Sequence, residues 1–228
     1  MTIIALASSK GGVGKTTLSM NLAAGLARRA GTMVVDADPQ QSAGQWWQVA
    51  EGKGLGFGIA HAHEETADAI IEAGQAHRYV VVDCPPSFAA PQTRETLREA
   101  DLLLVPMQPS PVDLWSGTHV VEWVSLAKRA NPRLSAWIVL NQVEPSTRLW
   151  KDIREAMDEL GLPTLKTTVR RRAAFRNAAL TGATVYAIGS RGSAAVEEIE
   201  AVITEVLSHD RKGRQPQGRS RQAEEPAC

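Results

Sequence analysis

The chain has 228 residues, 43% hydrophobic and 22% charged, which is enough for one α/β domain with a full core and too little for two complete ones. Lysine plus arginine equals aspartate plus glutamate at 25 each, so net charge excludes no partner class and only local clustering can select one. Two cysteines, Cys84 and Cys228, exclude a disulfide framework or a cysteine-built cluster, and no apolar run nears the ~18 residues of a membrane span, so a cytosolic protein is expected.

Residues 2–7 form an apolar run that leads at once into a glycine-rich loop, and residues 18–29 then carry apolar side chains at helical spacing. Further apolar runs follow at 33–35, ending on Asp36-Ala37-Asp38-Pro39, at 79–82, ending on Asp83, at 102–105, ending on Pro106, and at 136–140, ending on Asn141. Continuous rather than alternating runs belong to strands covered on both faces, and helical stretches at 120–129 and 149–160 separate several of them. The expected fold is therefore α/β: a doubly wound, mostly parallel sheet with helices on both faces. Ligands bind such sheets at the carboxyl ends of the strands, where the polar residues just named stand. Residues 195–207 read as a last amphipathic helix, which sets the domain at 1–207. Residues 208–228, rich in Arg, Gln, Gly and Pro, are expected to form a disordered basic tail.

Lys10-Gly11-Gly12-Val13-Gly14-Lys15-Thr16-Thr17 lies between a predicted strand and a predicted helix, the context a phosphate loop requires. Its glycines let successive backbone N–H groups turn toward one anion, and the helix start adds its positive dipole end. Lys15 is placed to reach β and γ phosphates, and the Thr16 hydroxyl to ligate Mg²⁺. The expected ligand is thus Mg-ATP. Asp83, at a strand tip, is placed to hold Mg²⁺ through a water. Asp38 is a candidate to serve the metal and to polarise the water that attacks the γ phosphate. For either aspartate alone, a turn residue at a strand end is the alternative.

An ordinary phosphate loop needs only its second lysine, so Lys10 is the unusual residue. The string KGGVGKTT, followed by DADPQ from Asp36 and DCPPS from Asp83, resembles the deviant Walker A ATPases of the ParA/MinD family. The resemblance implies that Lys10 crosses a dimer interface to the partner subunit's ATP, so that nucleotide controls an ATP-sandwich homodimer. It also implies weak ATP hydrolysis until a partner stimulates it. One internal cysteine does not suit the iron–sulfur members, and a tail without an apolar face does not suit the membrane-bound MinD type. The chain is most similar to short ParA-type partition ATPases without a helix-turn-helix domain, such as ParF. Their proline-rich segment resembles Pro106-Met107-Gln108-Pro109-Ser110-Pro111, which would put Pro106 and Met107 near the adenine; a rigid surface loop is the alternative. Asn141 is a candidate to hold the base, or a turn asparagine.

Lys166, Arg170, Arg171, Arg172 and Arg176 fall within eleven residues that contain no acid. A charge run of this kind is either a solvated face or, as the resemblance implies, a surface for nonspecific double-stranded DNA that contacts phosphates without reading bases. The implied role is cytoplasmic and nucleoid-associated: positioning of a plasmid or a protein body through a ParB-like, ParG-like or McdB-like adaptor, with no membrane involved. The alternatives are a membrane-associated MinD-like regulator and a small-molecule ligase of the dethiobiotin synthetase type. Trp46 and Trp47 read as helix packing, and Cys84 as a packed strand residue rather than a nucleophile.

Overall fold

The structure is a computed structural model that describes residues 1–51, 54–62, 65–144 and 148–213. Six strands alternate with helices: β1 (Thr2–Leu6), α1 (Lys15–Ala27), β2 (Thr32–Asp36), α2 (Ser42–Val49), β3 (Gly58–His61), α3 (Thr66–Ala76), β4 (Tyr79–Asp83), α4 (Pro91–Glu99), β5 (Leu102–Met107), α5 (Pro111–Ala130) and β6 (Ser135–Leu140). Among the described residues three further α-helices follow, α6 (Arg148–Asp158), α7 (Ala173–Leu180) and α8 (Ser193–Gly213), with two short 3₁₀ turns at Val185–Ala187 and Gly189–Gly192 between the last two. The strands form one sheet in the order β3-β2-β4-β1-β5-β6, and every neighbouring pair is parallel. The chain winds from β1 outward to β3, returns to β4, and crosses β1 to continue through β5 and β6. The helices that follow the neighbouring strands β1 and β4, α1 and α4, therefore lie on opposite faces of the sheet, which opens a crevice at the carboxyl ends of these two strands.

The side-chain period of 2 divides each strand between two cores. Ile3, Ala5, Val80, Val82, Leu103 and Val105 face the helices α3 to α6, while Ile4, Leu6, Val81, Leu102 and Leu104 face α1, α7 and α8. Burial on both sides explains why the central strands read as continuous apolar runs. Residues 163–171 run beside β6 as an irregular edge, joined by Leu165 N–H to the Ile138 carbonyl and Val169 N–H to the Leu140 carbonyl. Leu165 and Val169 turn into the core there, and Lys166 and Arg170 turn outward.

Four expectations need correction. Residues 58–61 form a sixth strand that no apolar run announces: β3 is a short outer strand in which Gly58 to Ala60 are partly buried and His61 is exposed. Pro106 does not end its strand, because β5 continues through Met107. β1 pairs with β5 only as far as Leu104, so Pro106 lies where β5 has β6 alone as a neighbour, and a missing N–H costs little there. α5 begins at Pro111, nine residues before the stretch expected to be helical. Pro111 occupies the first turn and Ser110 Oγ caps it by accepting from Asp113 N–H at 3.1 Å. Finally, the tail does not start at residue 208, since α8 continues to Gly213. His209 stacks on Trp137 at 3.7 Å between ring centroids, and Asp210 accepts from the Thr2 hydroxyl at 3.0 Å. These contacts hold the last polar turns against the sheet; the rest of the expected tail, 214–228, lies outside the described residues.

Candidate nucleotide site

β1 ends at the crevice, and its chain turns into α1 through Ser8 to Gly14. Gly12 (φ 78°) and Gly14 (φ 94°) hold left-handed conformations. Gly14 is further restricted, because a Cβ on it would stand 2.4 Å from Asn141 Nδ2. The loop is held by its carbonyls. Gly12 O accepts from Gln108 Nε2 (3.2 Å) and Gln142 Nε2 (3.0 Å), Val13 O accepts from Asn141 Nδ2 (2.7 Å), and Lys10 O accepts from Ser8 Oγ (2.7 Å). The N–H groups of Gly11, Gly12, Val13 and Gly14, by contrast, donate to no protein group among the described residues. Unused N–H groups at a helix start form an anion site.

Lys15 is buried beneath this loop, and its ammonium donates to Ser8 Oγ at 3.2 Å. Burial lowers its pKa, a shift opposed by the charges of Asp83 and Asp38. A buried cation with a single hydroxyl partner calls for an anionic ligand. Asp83 stands opposite Leu6 of β1 and Asp36 of β2 in register, so the sheet delivers it next to the loop. Its Oδ2 accepts from Thr16 Oγ1 at 2.6 Å and its Oδ1 from Ser19 Oγ at 2.9 Å. Burial pushes its pKa up to about 6 against these two hydrogen bonds. Thr16 and Asp83 thus present hard oxygen donors beside the anion site, the set that suits Mg²⁺, which takes one or two protein oxygens and completes its shell with phosphates and water.

Asp38 is nearly buried, two residues past β2, and its Oδ1 accepts from Gln40 N–H at 3.0 Å. Asp36 organises that turn: its carboxylate accepts from Asp38 N–H (3.2 Å) and from Gly44 N–H (2.8 Å) near the start of α2. Burial raises the Asp36 pKa against those bonds. The structure therefore gathers Lys15, Thr16, Asp38 and Asp83 at one crevice. Lys10 points elsewhere, donating from Nζ to the Val112 carbonyl at 2.7 Å, in the first turn of α5.

A cleft of about 260 Å³ adjoins the loop, lined by Gly14, Thr17, Leu18, Asn141, Gln142, Phe175 and the arginines at 170–172 and 176. Pro106 and Met107 do not line it; both are buried in the sheet, where the Met107 carbonyl accepts from Asn141 N–H at 2.8 Å and so places that side chain. The basic segment is partly neutralised. Arg172 donates to Glu198 at 2.7 Å, Arg170 lies 3.7 Å from the same carboxylate, and Arg171 meets Glu144 at 3.3 Å. Arg176 and the Lys166 ammonium have no such partner among the described residues. Five site residues escaped the sequence reading. Ser19 had a local signal, lying one turn after Lys15 on the same helix face, whereas Ser8, Asp36, Gln108 and Gln142 act through contacts that folding creates.

The profile of the CobQ/CobB/MinD/ParA nucleotide binding domain matches residues 4–185. The chain belongs to this family. It is 40% identical over 206 residues to the maintenance of carboxysome distribution protein A of Halothiobacillus neapolitanus, covering 90% of this chain and 95% of that relative. An ATP complex of McdA from Cyanothece superposes with a TM-score of 0.71 at 16% identity, over 91% of this chain and 96% of that one. Cobyrinic acid a,c-diamide synthase of Mycobacterium smegmatis, with an ATP analog and magnesium, superposes at 0.73 and 20% identity, over 94% and 97%. At such identities the last two show the shared α/β fold alone. Among the described residues of this ParA/MinD-family chain, no helix is long and apolar enough to cross a membrane.

Proposed function

We propose that this chain is a ParA-type ATPase that distributes carboxysomes along the nucleoid. The observation that carries the reading is the 40% identity to a carboxysome distribution protein over 95% of that protein's length. It joins a loop whose free N–H groups, buried Lys15 and Thr16–Asp83 pair suit Mg-ATP. Lys15 neutralises β and γ phosphate charge, Thr16 and Asp83 hold the Mg²⁺, and Asp38 orients the attacking water. Bound Mg²⁺ supplies positive charge to the oxygens that become negative as the γ phosphoryl leaves. Lys10 leaves Val112 for the phosphates of a second subunit, so that two chains close over two nucleotides. The ATP-bound dimer holds nonspecific DNA through its basic edge, and a cargo-bound adaptor triggers hydrolysis and release.

The test is binding of nonspecific duplex DNA with ATP, ADP or no nucleotide across a salt series, paired with imaging of carboxysomes in cells lacking the gene. Binding only with ATP, falling steeply with salt, together with clumped carboxysomes in the deletion strain, is the expected result. DNA binding indifferent to nucleotide, or carboxysomes spaced as in the parent, contradicts it. The likeness to the diamide synthase favours no second reading, because it extends to fold alone.

A further inference from the structure

The sheet face that carries α3 to α6 holds a second cleft, of about 240 Å³, between α4 and α5. Phe88, Leu97 and Leu126 give it an apolar lining, and Leu126 is 51% exposed. Its polar side chains are Arg94, Arg98 and Trp123. Arg94 donates from Nε (3.1 Å) and Nη2 (2.7 Å) to the Ala89 carbonyl, which fixes its guanidinium on the rim and leaves Nη1 unused. The Arg98 guanidinium and the Trp123 indole N–H meet no hydrogen-bond or ion-pair partner among the described residues. Every polar side chain in the lining is thus a donor, two carry positive charge, and none is an acceptor.

We propose that this cleft docks a short segment of a partner protein, one that carries a carboxylate beside a large apolar side chain. The apolar side chain enters between Leu97 and Leu126, and the carboxylate accepts from Arg94 Nη1 and from the Arg98 guanidinium. At about 240 Å³ the cleft has room for a few side chains of a peptide. A second copy of the chain is a poor occupant. A two-fold self-contact would set Arg94 and Arg98 of both copies against one surface with no acid in the lining to offset them. This surface is separate from the nucleotide crevice, so the proposal goes beyond the nucleotide reading and does not depend on it.

The experiment selects from a random 12-residue peptide library displayed on phage against the full chain, then measures a synthetic peptide of the enriched class by fluorescence anisotropy. Wild type enriches peptides with Asp or Glu adjoining Leu, Ile or Phe. Arg98→Glu and Leu126→Asp, both at exposed positions and checked for an unchanged melting temperature and ATP affinity, each weaken the peptide at least about tenfold. Failure to enrich such peptides overturns the proposal, as does equal affinity for Arg98→Glu. Tenfold tighter peptide binding after removal of residues 214–228 assigns the cleft to the chain's own tail instead. A concentration-dependent dimer that Leu126→Asp dissociates in sedimentation assigns it to a second copy, and either result also overturns the proposal.

Discussion

Replacing Asp83 with asparagine separates what this residue does for the ligand from what it does to the fold. The buried Asp83 carboxylate accepts from the hydroxyls of Thr16 and Ser19, and its pKa stands at about 6, against 3.8 for the free side chain. A folded-state pKa raised above the unfolded one means that the folded protein binds the proton more tightly, so stability is highest below the unfolded pKa and falls as pH rises through about 6. Two units at ~1.4 kcal/mol each give about 3 kcal/mol lost by pH 8. Asparagine resembles the protonated acid in shape and charge, and it keeps an oxygen for Thr16 or Ser19. The ligand-free Asp83→Asn protein is therefore expected to be about 2–3 kcal/mol more stable than wild type at pH 8, or roughly 4–12 °C in melting temperature for a chain of this size. The advantage vanishes near pH 4. Thermal melts in EDTA from pH 4 to 8 measure it. The same variant loses Mg²⁺-dependent tightening of ATP binding. An Asp83→Asn protein that melts at or below wild type at pH 8, or a wild type with no decline between pH 4 and 7, contradicts a raised Asp83 pKa in the folded protein.

Asp38→Ala is expected to bind Mg-ATP with wild-type affinity and to lose at least about 10²-fold in turnover, which a phosphate-release assay reads. Gly14→Ala places a methyl 2.4 Å from Asn141 Nδ2 at a left-handed position. ATP affinity measured by calorimetry should fall at least about tenfold, with a strain cost of about 1–3 kcal/mol in stability. Arg172→Ala leaves the largely buried Glu198 short of its best partner, so denaturant unfolding should show a loss of about 1–3 kcal/mol. Lys166→Ala with Arg176→Ala instead removes two cations that meet no acid among the described residues. It should leave stability unchanged and lower the slope of log DNA affinity against log salt by about 2.

The sequence announces what local geometry or burial demands. The phosphate loop is legible because only glycines take the conformations at 12 and 14, and β1, β4 and β5 because both their faces are covered. β3 was hidden by its position at the sheet edge, where Gly58 and His61 are tolerated and no apolar run is needed. The last turns of α8 are polar and owe their order to Trp137 and Thr2, at the far end of the sequence in one case. The basic segment shows the same limit for charge. Five cations were legible, but Glu144 and Glu198, which meet three of them, lie 26–28 residues away in the chain. Nor does any local pattern reveal that Gln108 and Gln142 share the Gly12 carbonyl.

The loop at Lys10 to Thr17 is the proposed seat of Mg-ATP, and the most direct test of that assignment is calorimetric titration of ATP, with Mg²⁺ and with EDTA, into wild type and Lys15→Ala. Stoichiometric binding by wild type, tightened by Mg²⁺ and abolished by Lys15→Ala in a protein that still melts cooperatively, is the predicted result. Equal ATP affinity in the two proteins contradicts it.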